Sequence, residues 1–127
     1  MRFITAVLTA MSIATLAAGP SRAQDAAAGE KVFAKCKICH VADQDTNKVG
    51  PSLHGVIGRT AGTHPNFSYS PAMIKAGKDG MVWNEDTLKP YLHNPREVVK
   101  GTKMAFAGLK SDEDVANVIA YLKQFSK

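Results

Sequence analysis

Apolar residues recur at helical spacing most clearly near the end of the chain, where Val115, Val118, Ile119, Leu122 and Phe125 form one stripe. Steps of three and four residues put these side chains on one face, so a helix is predicted from Asp112 onward. Ser111 stands in front as a cap, Asp112, Glu113 and Asp114 occupy the first turn, and Lys123 and Lys127 lie at the other end. Both charge placements suit the helix dipole. A shorter stripe, Val32, Phe33 and Cys36 with Lys31 and Lys35 off it, predicts a first helix capped by Asp25 and running towards Cys36. Gly29 sits inside that helix at a cost of ~1 kcal/mol relative to alanine. A second helix crossing closely at that point is the expected reason.

Between these ends, Ser70-Pro71 reads as the cap and first residue of a short helix stopped by Gly77. Asn84 caps another, Glu85 to His93, which ends before Pro95. Pro90 inside it removes one backbone hydrogen bond and should bend it. From Val41 to Tyr69 there is no periodicity, and Gly, Pro, Asn, Thr and His recur. A loop this long is unusual in a small domain unless it wraps something that is not protein. No stretch alternates, and no repeat or linker interrupts the chain, so the fold class is all-α in one domain.

The first 23 of the 127 residues read differently. Arg2 precedes an apolar, small-residue run from Phe3 to Ala18, and Ser21 and Ala23 fit a small-x-small cleavage pattern. The run falls short of the ~20 apolar residues of a spanning helix. Residues 1–23 are therefore expected to be a cleaved signal peptide, and 24–127 an exported, periplasmic domain. Without Arg2 and Arg22 the basic count falls from 16 to 14 against 11 acidic residues, a net charge of +3. That is too mild for a nucleic-acid binder, which normally carries a strong basic stripe. It suits a face aimed at an acidic protein partner. A domain of this size buries only about two thirds of its unfolded surface, so a large apolar ligand would strengthen its core.

The two cysteines lie in Cys36-Lys37-Ile38-Cys39-His40. A structural zinc site wants four ligands, and His54, His64 and His93 are scattered without ligand spacing. A thioredoxin-like disulfide belongs after a strand in a βαβ unit, which is not predicted here. Haem attachment fits better: both thiols bond the vinyl groups and His40 coordinates the iron. The haem would also be the object that the aperiodic loop wraps. The other side of the iron then decides the function, because a His/Met pair makes an electron-transfer centre. Met73 and Met81 suit core filling. Met104 lies in a glycine-bracketed strap, Gly101 to Gly108, without helical period, and is expected to be the second ligand.

The segments GEKVFAKCKICH, VGPSLHGVIGRTAG, FSYS, VWNEDTLKPYLHNP, GTKMAFAGLK and VIAYLKQF together resemble a class I c-type cytochrome. The similarity extends to mitochondrial cytochrome c and to soluble periplasmic cytochromes of bacteria, over Gly29 to Lys127. It implies the small cytochrome c fold, with N- and C-terminal helices crossing and loops wrapped around one covalent haem c. Pro51 would accept from the second nitrogen of His40; Arg59, Tyr69 and Trp83 would hold a buried propionate. Thr102 would contact another propionate, and Tyr91 would hydrogen-bond near the Met104 sulfur. Gly29 and Phe33 would cross the last helix at Val118 and Tyr121, and Phe106 would lie by the exposed haem edge. From spacing alone Trp83 and Tyr91 would be core and Arg59 a solvated charge. His54, His64 and His93 are expected on the surface. The segment from Tyr69 to Trp83 is longer than the mitochondrial one, and Pro90 departs from it.

The resemblance implies a mobile one-electron carrier, monomeric and without enzymatic chemistry. A ubiquinol-cytochrome c oxidoreductase would reduce it, and a terminal oxidase or photosynthetic reaction centre would oxidise it. Lys35, Lys48, Arg96, Lys103 and Lys110 match the basic ring of the family and would steer docking. Competing classes are a haem enzyme or ligand sensor with a labile sixth position, and a haem-free disulfide oxidoreductase.

Overall fold

The structure, a computed structural model, describes residues 24–127; the expected leader, 1–23, lies outside the described residues. Five helices follow in order: α1 Ala26–Phe33, α2 Pro71–Lys78, α3 Glu85–His93, α4 Pro95–Val98 and α5 Asp112–Lys123. Between residues 24 and 127 the only extended pairing is an isolated bridge between Thr60 and Val82. The all-α reading therefore stands.

The two ends of the chain pack against each other because glycine permits it. A Cβ on Gly29 would lie 1.9 Å from the backbone carbonyl oxygen of Asn117 and 2.9 Å from the Cβ of Tyr121. Thus Asn117, rather than Val118, is what the glycine meets. Asn117 also accepts the Asp25 backbone N–H on its side-chain oxygen at 2.9 Å, while Asp25 caps α1 through Ala27 and Ala28. Phe33 stacks on Tyr121 with ring centroids 5.1 Å apart. Phe33, Val115, Val118 and Ile119 are the most deeply buried apolar side chains of this crossing.

Two local expectations change, and one short helix is added. Helix α1 ends at Phe33, and the chain reaches His40 through turns: Cys36 bonds back to Phe33, and both Cys39 and His40 to Cys36. These tight turns, not a continuing helix, present the cysteines. Helix α2 runs past Gly77 to Lys78. That glycine is required by space, since its Cβ would lie 1.9 Å from the Ala61 carbonyl oxygen. The single turn α4, opened by Pro95 after its cap Asn94, was too short to leave a periodic signal. Pro90 is tolerated inside α3, which continues to His93.

The aperiodic stretch is a loop fastened at a few points. Gly58 donates to Trp83, Trp83 to Arg59, and Ala61 to Met81, which stitches the loop to the segment before α3. At the other end Gly55 donates to the Phe125 carbonyl at 2.8 Å. The loop, α2, α3 and the strap 101–108 enclose a cleft.

Candidate cofactor site

The cleft holds about 500 Å³ and is predominantly apolar. Cys36, Cys39, His40, Pro51, Arg59, Tyr69, Trp83, Tyr91, Thr102 and Met104 all line it. These ten residues come from five separate segments, so the fold and not sequence proximity gathers them. The chemistry of the walls suits a flat apolar cofactor with an iron centre: two thiols, one imidazole and a thioether amid aliphatic and aromatic side chains.

His40 is oriented from two sides. Its Nδ1 lies 2.8 Å from the Pro51 carbonyl oxygen. A carbonyl only accepts, so Nδ1 carries the proton and Nε2 keeps its lone pair. The ring rests on Gly50, where a Cβ would fall 2.4 Å from one ring carbon. Burial lowers the pKa of His40, with Lys48 adding to the effect and the Pro51 bond opposing it. The neutral form is the one that binds metal. Burial likewise raises the Cys36 thiol, partly offset by Lys35. Both cysteines are unpaired thiols.

Met104 is half-buried in a strap along which exposure alternates: Met104 and Phe106 are half-buried, and Lys103, Ala105 and Ala107 are exposed. The Tyr91 hydroxyl donates towards the Met104 sulfur at 3.9 Å, and the Met104 N–H donates to Thr102 Oγ1 at 3.3 Å. Burial pushes the Tyr91 phenol up to about 12, with a Thr102 hydrogen bond opposing, so the hydroxyl stays a donor at neutral pH. Trp83 packs on Tyr91 with centroids 4.6 Å apart.

Arg59 is not a solvated charge: its guanidinium donates to the Ser52 carbonyl at 2.8 Å and to the His54 carbonyl at 2.5 Å. Burial lowers its pKa and raises that of Tyr69, while their mutual interaction opposes both shifts. The Tyr69 hydroxyl accepts from the His64 N–H at 3.1 Å.

Sequence reasoning missed part of the wall. Gly50, Leu53 and Val56 contribute from the loop, Leu88 and Leu92 from α3, and Met73 from α2. In a loop without periodicity no pattern marks which apolar residues face inward. Of the histidines taken as surface residues, His64 is largely buried and His93, though a third exposed, is tied into a joint. His64 has a side chain 10% exposed and meets Asp45 at 2.9 Å. His93 bonds Leu109 and Asp112. Both lie in packed joints between segments, which their isolated positions in the chain do not reveal. Neither lines the cleft, and no group of three or more His, Cys, Asp or Glu among the described residues is arranged to hold a metal.

At the mouth stand Lys35 and Lys103, with Ile38 and Val49, each 77% exposed. Lys48 is held nearby, its ammonium donating to the Lys37 carbonyl at 2.7 Å. Arg96 and Lys110 are exposed but lie outside the cleft lining.

A family model described as cytochrome c matches residues 26–126. Cytochrome c2 of Afifella marina is 51% identical over 100 residues, covering 78% of this chain and 81% of that protein. Cytochrome c type-1 of Ascaris suum is 45% identical over 104 residues, covering 81% and 90%. Among solved structures, cytochrome c2 from Rhodospirillum centenum superposes with a TM-score of 0.78 at 40% identity, over 81% of this chain and 99% of that one. Cytochrome cH from Methylobacterium extorquens gives 0.72 at 44% identity, over 79% and 98%.

Proposed function

The chain belongs to the cytochrome c family and is an electron carrier with one covalent haem c; from that premise we propose how its own residues hold and tune the group. Cys36 and Cys39 would hold it through thioether links, and His40 Nε2 and Met104 Sδ would bind its iron. When bound, the haem supplies a one-electron couple. The observation that carries this assignment is the placement of His40, both thiols and Met104 on one cleft, with the Tyr91 hydroxyl on the Met104 sulfur.

The remaining walls exclude water and favour the less charged, reduced state, which together with a methionine ligand raises the potential. The Pro51 carbonyl holds the His40 tautomer and orientation. Arg59, Tyr69, Trp83 and Thr102 serve the propionates. With His40 and Met104 both bound to the iron, no position would remain there for a substrate, so the protein would carry electrons and not act as an enzyme. Lys35, Lys48, Arg96, Lys103 and Lys110 guide it to acidic surfaces of membrane redox complexes: a ubiquinol-cytochrome c oxidoreductase as donor, and a terminal oxidase or reaction centre as acceptor. It works as a periplasmic monomer after loss of residues 1–23.

Protein matured in a periplasm tests the ligand set. The oxidised form should show the far-red methionine-to-iron band; Met104→Ala should abolish it with haem still attached by mass. Met73→Ala, the other methionine on the wall, should leave the band in place. A band that survives Met104→Ala refutes the assignment. A haem-bearing wild type without the band instead has a labile sixth position, as in a ligand sensor.

A further inference from the structure

The strap that carries Met104 is held mainly at its ends. Among the described residues, 103–108 make no backbone–backbone hydrogen bond. Near one end Thr102 donates to Val99 at 3.0 Å, and at the other Leu109 donates to Leu92 at 2.7 Å. The second end is tight, since a Cβ on Gly108 would lie 1.9 Å from the His93 carbonyl oxygen. At this joint sits the His93 ring, the last residue of α3. Its Nδ1 is 2.8 Å from the Leu109 carbonyl oxygen and its Nε2 is 2.8 Å from Asp112 Oδ1.

Both partners are acceptors. A neutral imidazole has one N–H and can donate to only one of them; at the other a nitrogen lone pair would face oxygen. Only the imidazolium satisfies both. We propose that His93 is a positioning residue for Met104, a proton-loaded latch that clamps the C-terminal end of the strap between α3 and α5 while it is doubly protonated. This rests on Met104 being the iron ligand. Loss of the proton as pH rises gives up one of the two bonds, so the strap opens more readily and the sulfur is displaced more easily. The Asp112 side chain is 98% exposed, so the latch is worth what an exposed ion pair is worth, about threefold to fivefold in the opening equilibrium.

Other charges surround the joint: Lys89 one turn back on α3 and lining the same small cleft as His93 and Asp112, Glu97 on α4, Lys110 after Leu109, and Glu113 and Asp114 on α5. Carboxylates and ammonium groups ordinarily titrate outside the range about pH 5.5 to 8, whereas imidazoles titrate inside it. His54 and His64 are imidazoles too, so the comparison of wild type with His93→Gln carries the test.

The probe is azide, which stays anionic across the range and must displace Met104 to bind oxidised iron. Its affinity for the wild type should rise about threefold to fivefold from about pH 5.5 to 8. For His93→Gln it should be flat, and at the acid end higher than for wild type by the same factor. Nitrogen chemical shifts of the His93 ring should show both nitrogens protonated at the acid end. Asp112→Asn, which disturbs packing less, should reproduce part of the effect. A His93→Gln profile parallel to the wild type, or a ring seen as a single tautomer at the acid end, overturns the latch. A wild type without the far-red band would instead overturn the Met104 assignment beneath it.

Discussion

Replacing Gly29 by alanine sets two effects of opposite sign against each other. In an isolated helix the change is favourable by ~1 kcal/mol. Here the added Cβ would sit 1.9 Å from the Asn117 carbonyl oxygen and 2.9 Å from the Tyr121 Cβ. An ordinary carbon–oxygen contact is more than an ångström longer, and the obstructing atom is helix backbone, which cannot rotate aside. Relief requires α1 and α5 to separate. Separation loosens the Phe33–Tyr121 stack and the Asp25 N–H bond to Asn117. Overpacking of this kind costs ~3 kcal/mol at the upper end of its usual range, so the net expectation is a loss of about 2 kcal/mol. With a urea m-value of ~2 kcal/mol/M, the unfolding midpoint should fall by ~1 M. Trp83 lines the cleft, so its fluorescence should be quenched in the folded, haem-bearing protein and should report the transition on the mature protein. A midpoint that is unchanged or higher would mean that propensity wins and the helices are not in contact at Gly29.

Two further substitutions probe the cleft. Tyr91→Phe removes the donor to the Met104 sulfur, making the sulfur a better electron donor to oxidised iron; the reduction potential measured by voltammetry should fall by ~40 mV, about 1 kcal/mol for one electron, with the far-red band retained. The same variant should lose a pH dependence: a phenol held near 12 when folded and near 10 when unfolded stabilises the wild type below pH ~10, and that contribution fades between about 10 and 12. Gly50→Ala would press a Cβ to 2.4 Å from the His40 ring. Covalent attachment, read by intact mass, should persist, while the reduction potential measured by voltammetry should shift as the ring is pushed out of its orientation; an unchanged potential would mean that the ring is not seated on Gly50.

Much of this was legible in the chain because the signals are local. Asp25, Ser70, Asn84 and Ser111 cap the four longer helices through side-chain bonds to the first turn, an interaction complete within four residues. The pairing of thiols and imidazole in Cys36 to His40 likewise needs only five residues, and the apolar stripe of α5 is a property of its own spacing.

What the chain could not state locally was decided by segments meeting. Gly29 signalled a crossing, but only the packed helices name Asn117 as the residue it meets. Gly77 reads as a stop signal, and it is instead a point where α2 touches the loop at Ala61. His93 lies in the chain as an ordinary polar residue at a helix end; the meeting of α3, the strap and α5 turns it into a bridge between Leu109 and Asp112. Met73, read as core filling, is indeed buried, and it also lines the cleft because α2 packs on the loop at Ala61 and Gly62. Caps, stripes and motifs are fixed by bonds spanning a few residues. Close approach, burial and the partner of a side chain depend on residues tens of positions away, and those are set only when the tertiary structure closes.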